Sequence, residues 1–234
     1  MKIRHQDILE RMSHLVFPSD FFVLENYAHA DLFKKKFPVW DTLKEISSYL
    51  EKRKLGNIEV EIPSSAYLLH PHLISIGKGT VVEPGAYIQG PCIIGPYCQI
   101  RHGAYIRGNV IVGQKCVIGH DTEVKNSIFL DGAQAAHFNY VGDSILGNGV
   151  NLGAGAKLAN FKLNHSLIDV CIEGKRIQTG LKKMGAIVGD GAQLGCNCVT
   201  SPGTLIGRDA FISPCVHVRG YVPNGGRFKN DSGN

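Results

Sequence analysis

Between Ile76 and Ala136 every sixth residue is aliphatic or small: Ile76, Val82, Ile88, Ile94, Ile100, Ile106, Val112, Ile118, Val124, Leu130 and Ala136. The series resumes at Val188, Leu194, Thr200, Ile206, Ile212 and Val218. Two places before these positions the residues are mostly small, as at Thr80, Ala86, Cys92, Cys98, Ala104, Cys116 and Thr122, then Ala186, Ala192, Cys198, Thr204 and Ala210. Residues two apart in a strand share a face, so each hexad turns one large and one small side chain inward. Glycine often follows the large one, as in Ile94-Gly95 and Ile118-Gly119, and its access to positive φ suits a sharp corner there. Three such sides make a triangular coil of about eighteen residues, and coils stack by parallel pairing about 4.8 Å apart. The period therefore predicts a mainly β chain folded as a parallel β-helix, each coil burying its interior only against its neighbours.

The six-step fails after Ala136, where the aliphatics fall at Val141, Leu146, Leu152 and Leu158. A regular repeat that shifts register in one place is making room for something. Residues 161–183 leave the pattern altogether: Ile168, Val170 and Ile172 alternate, Glu173-Gly174-Lys175-Arg176 reads as a turn, and Ile177 begins a return arm. This predicts an inserted β-hairpin projecting from the stack. Residues 1–62 form a different module. Asp41 is placed to N-cap a helix through Leu43, Ile46, Tyr49 and Leu50, with Gly56 as its stop. With an earlier helix around 6–16 and an aromatic run from Phe17 to Trp40, the module predicts a small α-helical cap over the edge of the first coil. The β-helix is expected over 63–222 and a loosely ordered tail over 223–234.

Composition narrows the classes. Hydrophobic residues at 44% and charged residues at 19% describe a globular chain. The 28 glycines show no Gly-X-Y period, which excludes collagen. The net charge of +5 is too mild to argue for nucleic acid; it reads first as ordinary solubility, and a small anionic substrate also fits. No run approaches the ~20 apolar residues of a membrane span, and the first residues lack the apolar core of a signal peptide. Seven cysteines at no disulfide-like spacing predict a reducing, cytoplasmic setting. Cys92, Cys98, Cys116 and Cys198 all occupy the small inward slot, so Cys196-x-Cys198 reads as packing rather than a zinc pair.

The segment 123–161 carries Glu123-Val-Lys125, then His137-x-x-Tyr140-x-Gly142-Asp143, then Asn151-x-Gly-Ala154-Gly, then Asn160. In order and spacing these blocks resemble the acetyltransferase domain of the bifunctional enzymes that make UDP-N-acetylglucosamine. The likeness spans roughly residues 70–222, and Gly180-Leu-Lys-Lys-Met-Gly-Ala186 is similar to the archaeal-type members. The resemblance implies a left-handed β-helix, an acetyl-CoA-dependent N-acetyltransferase, an amino-sugar phosphate (glucosamine-1-phosphate) as acceptor in nucleotide-sugar and cell-envelope precursor synthesis, and a homotrimer. It implies His137 as general base, Glu123 as the acid orienting it, Asn160 as the group positioning the amine or holding the base, and the backbone at Ala154 as oxyanion donor. Lys125, Tyr140 and Asn151 would bind the sugar phosphate. Cys196 stands where a serine relays a proton to departing CoA. Arg219, with Arg227 beside it, would meet CoA phosphates in a cleft between neighbouring β-helices. No metal is implied. The chemistry agrees, because an amine attacking a thioester must lose a proton and histidine is tuned for that near neutral pH.

A phosphate-binding arginine has two candidates: counting back from Lys125 selects Arg107, whereas the Gly-Pro-Tyr…Arg pattern selects Arg101, and Arg107 is preferred. The chain departs from the family pattern in lacking the nucleotidyltransferase domain, in Phe161 after Asn160, and in Ser166 and Asp169 where lysines are expected. Three rival readings stay open. Ile118-Gly-His120-Asp121 resembles the catalytic pair of UDP-sugar acyltransferases, with His120 as base and another acyl donor. His102, His120 and His137 fit a γ-type carbonic anhydrase poorly, because a vertical ladder does not converge on zinc. A non-catalytic scaffold or regulatory subunit is the third.

Overall fold

The computed structural model describes residues 16–229; the helix expected around 6–16 lies almost wholly outside them. From Tyr67 the chain winds through eight coils whose strands line up as three eight-stranded parallel sheets. The first face stacks Tyr67–Leu69, Tyr87–Gln89, Tyr105–Arg107, Glu123–Lys125, Tyr140–Gly142, Lys157–Leu158, Val199–Thr200 and His217–Val218. The second runs from Ile74–Ile76 to Tyr221–Val222, and the third from Val81–Val82 to Arg227–Phe228. The large inward slots Ile76, Ile88, Ile94, Ile100, Ile106, Val112, Ile118 and Val124 are all at most 1% exposed and form one core column. The four slot cysteines lie in the same core. Burial pushes the Cys92 thiol up to about 12 and the Cys198 thiol to about 11, so both are packing groups.

Two details of the repeat differ from the expectation. The register shifts earlier than Ala136: Ile106 pairs with Val124, eighteen residues on, but Val112 pairs with Phe129 and Ile118 with Ala135, seventeen residues on. The residue is lost at the corner around Asn126 (φ 44°). Phe129 and Ala135 therefore point inward, and Leu130 points outward beneath the helical module. The glycines after the large slots also serve another purpose than a left-handed turn. A Cβ on Gly77 would sit 2.8 Å from Pro96 N, and one on Gly189 2.7 Å from Arg208 N, so these glycines let coils approach. The left-handed residues come two places later, at Gly79, Tyr97 and Lys115.

The helical module does not cap the end of the stack. Phe21, Phe22, Trp40, Leu43, Ile46 and Leu50 lie on the outward-facing Ile111, Ile128, Leu130, Ile145 and Ile187 of the second face. Those isoleucines make that face apolar on both sides, so it must be covered. The helix Thr42–Glu51 starts from a 3₁₀ turn, and the Asp41 carboxylate makes no capping bond, pairing instead with Lys44 Nζ at 2.5 Å. The first coil's edge meets Ile58, which bridges to Ile76.

The insertion forms the antiparallel hairpin Asp169–Ile172 with Lys175–Gln178. Rather than projecting, it folds back: Ile168, Val170 and Ile172 bury against Leu205 and the helical module, and Lys44 Nζ donates to Thr179 O at 2.9 Å. The segment after Pro223 is no loose tail up to Lys229, since Arg227–Phe228 pairs with Phe211–Ile212 as the last strand. No helix among the described residues is long and apolar enough to cross a membrane.

Candidate active site

Two groups of the expected residues meet where the third face turns into the first. His137 ends the strand Gln134–His137, beside His120 in register. The backbone then climbs the same corner: Gly155 N–H donates to His137 O at 2.9 Å, Asn197 N–H to Ala154 O at 2.8 Å, and Cys215 N–H to Cys196 O at 2.8 Å. His137, Ala154 and Cys196 thus form a vertical column, one per coil, about 4.8 Å between rungs. Among the described residues the Ala154 N–H meets no acceptor. The Cys196 N–H one coil on likewise meets none, so the column offers two backbone donors free to serve an oxyanion.

Residue Asn139 holds this corner. It occupies a small inward slot, is 2% exposed, accepts the His137 N–H on Oδ1 at 3.2 Å and donates to Gly153 O at 2.8 Å. The sequence signal was an amide in the slot that holds Thr122 and Ala156 on neighbouring coils.

The second group lies on the first face. Outward positions of its strands carry Arg107, Glu123, Lys125 and Tyr140, with Glu123 between Tyr105 and Tyr140 in register. Arg107 donates to Glu123 Oε1 at 2.6 Å, and the Glu123 carboxylate pushes the guanidinium pKa up further. Asn160 Nδ2 reaches the Tyr140 hydroxyl at 3.2 Å. Burial first, then the nearby Glu123 charge, raises the Tyr140 phenol, so that hydroxyl stays protonated near neutral pH. Asp143, 5% exposed, accepts from Asn160 at 2.5 Å and pairs with Lys125 at 3.2 Å. It closed the His-x-x-Tyr-x-Gly-Asp block, yet the sequence alone assigned it no role.

Several expected residues sit elsewhere. The Glu123 carboxylate contacts Arg107 and not the His137 ring, because it projects from the face whereas His137 sits on the corner. Arg101 folds onto Gln99, 2.8 Å from Nη2 to Oε1, away from Lys125, whereas Arg107 shares the Lys125 face. Asn151 projects from the third face, paired in register with Gln134 and Gln193. Arg219 follows the last strand of the first face and Arg227 lies over the Phe211 ring, 5.2 Å to its centroid. His120 stacks on His102 with centroids 5.5 Å apart and lies 3.4 Å from Asp121. An open hollow of about 600 Å³ extends up the first face from Ala159 and Phe161 to Ser201 and His217.

Residues 88–184 match the family model described as the GMPPB C-terminal domain. A bifunctional sugar-1-phosphate nucleotidylyltransferase/acetyltransferase from Sulfurisphaera tokodaii is 34% identical over 177 residues, covering 76% of this chain and 43% of that protein. A bifunctional protein GlmU from Methanococcus maripaludis is 33% identical over 108 residues, 46% of this chain and 26% of its own. Among solved structures, a UDP-N-acetylglucosamine acyltransferase from Campylobacter jejuni superposes with a TM-score of 0.45 at 16% identity, over 73% of this chain and 64% of that one. The chain spans less than half the length of these two curated relatives.

Proposed function

From a chain homologous to the GlmU-type bifunctional nucleotidylyltransferase/acetyltransferases over its β-helix, we infer a hexapeptide-repeat acyltransferase that moves an acetyl group from acetyl-CoA to the amine of an amino-sugar phosphate, best matched by glucosamine-1-phosphate. The observation that carries this reading is the column His137, Ala154, Cys196 on one corner, beside a face bearing Arg107, Lys125, Tyr140 and Asn160.

The sugar amine attacks the thioester carbonyl carbon, so a C–N bond forms and the C–S bond breaks. His137 accepts the proton the amine must lose. The Ala154 N–H lies one rung above it and faces the developing oxyanion, where a preset backbone donor costs no reorganisation. The proton passes on to the departing CoA thiolate, with Cys196 one rung further up the column. Arg107 and Lys125 take the sugar's phosphate, Tyr140 orients the ring, and Asn160 positions the amine. Glu123 fixes the Arg107 fork. No metal enters this chemistry.

The site is completed by a second copy. Asn151 belongs to the third face and Lys125 to the first, so one chain cannot close both around a small molecule. Placing the corner between two such faces of neighbouring chains in a trimer brings them together.

An acetyl-CoA assay with glucosamine-1-phosphate tests the reading. Wild type is expected to form the N-acetyl product and His137→Ala to lose about 10²–10⁴ in rate. A loss of that size in His120→Ala with His137→Ala active would transfer the base role to His120. No acetylation by wild type across a panel of amino-sugar phosphates would overturn the proposal.

A further inference from the structure

One buried carboxylate on the first face has no part in the reaction as described above. Asp143 stands at the corner between the first and second faces with φ 49°, a conformation its short polar side chain tolerates. Its backbone is pinned on both sides: its N–H donates to Lys125 O at 3.0 Å, and its carbonyl accepts the Gly185 N–H at 2.8 Å. The insertion returns to the stack at this point, with Met184 N–H donating to Asn160 O at 2.9 Å.

The carboxylate then gathers three donors from neighbouring coils. Oδ1 accepts from Asn126 Nδ2 at 2.9 Å, and Oδ2 accepts from Asn160 Nδ2 at 2.5 Å and pairs with Lys125 Nζ at 3.2 Å. Burying a carboxylate is tolerable only when charge and hydrogen bonds compensate it, and here one cation and two amides do so. The converse also holds. Lys125 has a flexible four-carbon stem, and the Asn160 amide rotates about its own side chain. Their common anchor is the single oxygen Oδ2.

We propose that Asp143 is a positioning residue that fixes the Lys125 ammonium and the Asn160 amide in one relative geometry, so that the phosphate and amine ends of the acceptor meet a preset pair. This rests on the substrate-binding roles given to Lys125 and Asn160 above. Asp143 itself touches neither acceptor nor CoA and acts through those two side chains. Preset geometry of this kind converts substrate binding into rate.

Two measurements on Asp143→Asn test it, the variant being isosteric and its melting point confirming the fold. Reductive methylation followed by peptide mass spectrometry reads Lys125 against Lys115, which is exposed and lies on another part of the stack. In the variant the freed Lys125 amine is expected to react roughly fivefold faster than in wild type while Lys115 is unchanged; an unchanged Lys125 overturns the proposal. In acetyl transfer, adding Asp143→Asn to the double variant Lys125→Ala, Asn160→Ala is expected to slow it further by no more than about twofold, because Asp143 acts through those two side chains. Losses that multiply overturn it. A wild type that acetylates no amino-sugar phosphate overturns the preceding proposal, and the labelling still decides whether Asp143 holds Lys125.

Discussion

Thr200 shows how much a single slot in this repeat weighs. It takes the large inward position between Leu158 and Val218, is fully buried, and its Oγ1 finds no hydrogen-bond partner among the described residues. A buried hydroxyl left unpaired costs about 1–3 kcal/mol, so Thr200→Val, which keeps the shape and loses the hydroxyl, is predicted to stabilise the fold by roughly 1 kcal/mol. A higher urea midpoint at unchanged slope would show it, and a lower midpoint would mean the hydroxyl is satisfied. At this scale the sequence was legible wherever a slot rule applied: the cysteines of the small slot are all in the core. It was illegible where a side chain works against the rule. Asn139 fills a small slot with an amide that ties His137 to Gly153, and Asp143 uses a left-handed corner to turn its carboxylate back over the face. Hexad arithmetic sees spacing, and both of these depend on where a polar tip points.

Among elements, the repeat was read correctly up to Val124 and then missed by one residue at Leu130 and Ala136, because the lost residue falls at the Asn126 corner rather than inside a strand. The hairpin was recognisable from its alternation, but its docking was not. Nothing local distinguishes an arm that projects from one that buries Ile168 and Val170 against Leu205. The helical module carries a testable pH response. His29 is half-buried, hydrogen-bonded to the Tyr49 hydroxyl at 2.9 Å, and faces Arg53, Asp31 and Asp131. Burial first, then Arg53, lowers its pKa from 6.5, against the opposing pull of the two aspartates. The folded state therefore favours neutral His29 while the unfolded chain takes up the proton near pH 6.5. Stability from this group is complete above that pH and is lost as pH falls below it toward the folded value. Trp40, the single tryptophan, is buried in the same module at 2% exposure and reports on it. Its emission is expected to shift to the red on mild acidification, with the far-ultraviolet β signal unchanged, and His29→Gln is expected to remove the shift. A shift that persists in the variant would place the titrating group elsewhere.

For the molecule as a whole, covering one face decides how copies can meet. The helical module and the hairpin occupy the second face, while the first still shows Tyr67, Tyr105 and Val199 to solvent and the third shows Val81 and Phe211. The corner bearing His137 lies between these two bare faces. Under the proposed shared site, self-association would set the first face of one chain against the third face of the next. That arrangement predicts complementation. Arg107→Ala damages only first faces and Asn151→Ala only third faces, so each variant alone is expected to form trimers with little activity. Unfolding and refolding the two together in equal amounts gives each site an intact first face half the time and an intact third face half the time. About a quarter of wild-type activity should then return in a closed cyclic trimer whose sites lie between subunits. Sizing of each variant confirms that the oligomer survives the substitution. Mixed samples no more active than the separate ones, at equal trimer content, would place Arg107 and Asn151 in the service of one and the same chain and remove the shared site.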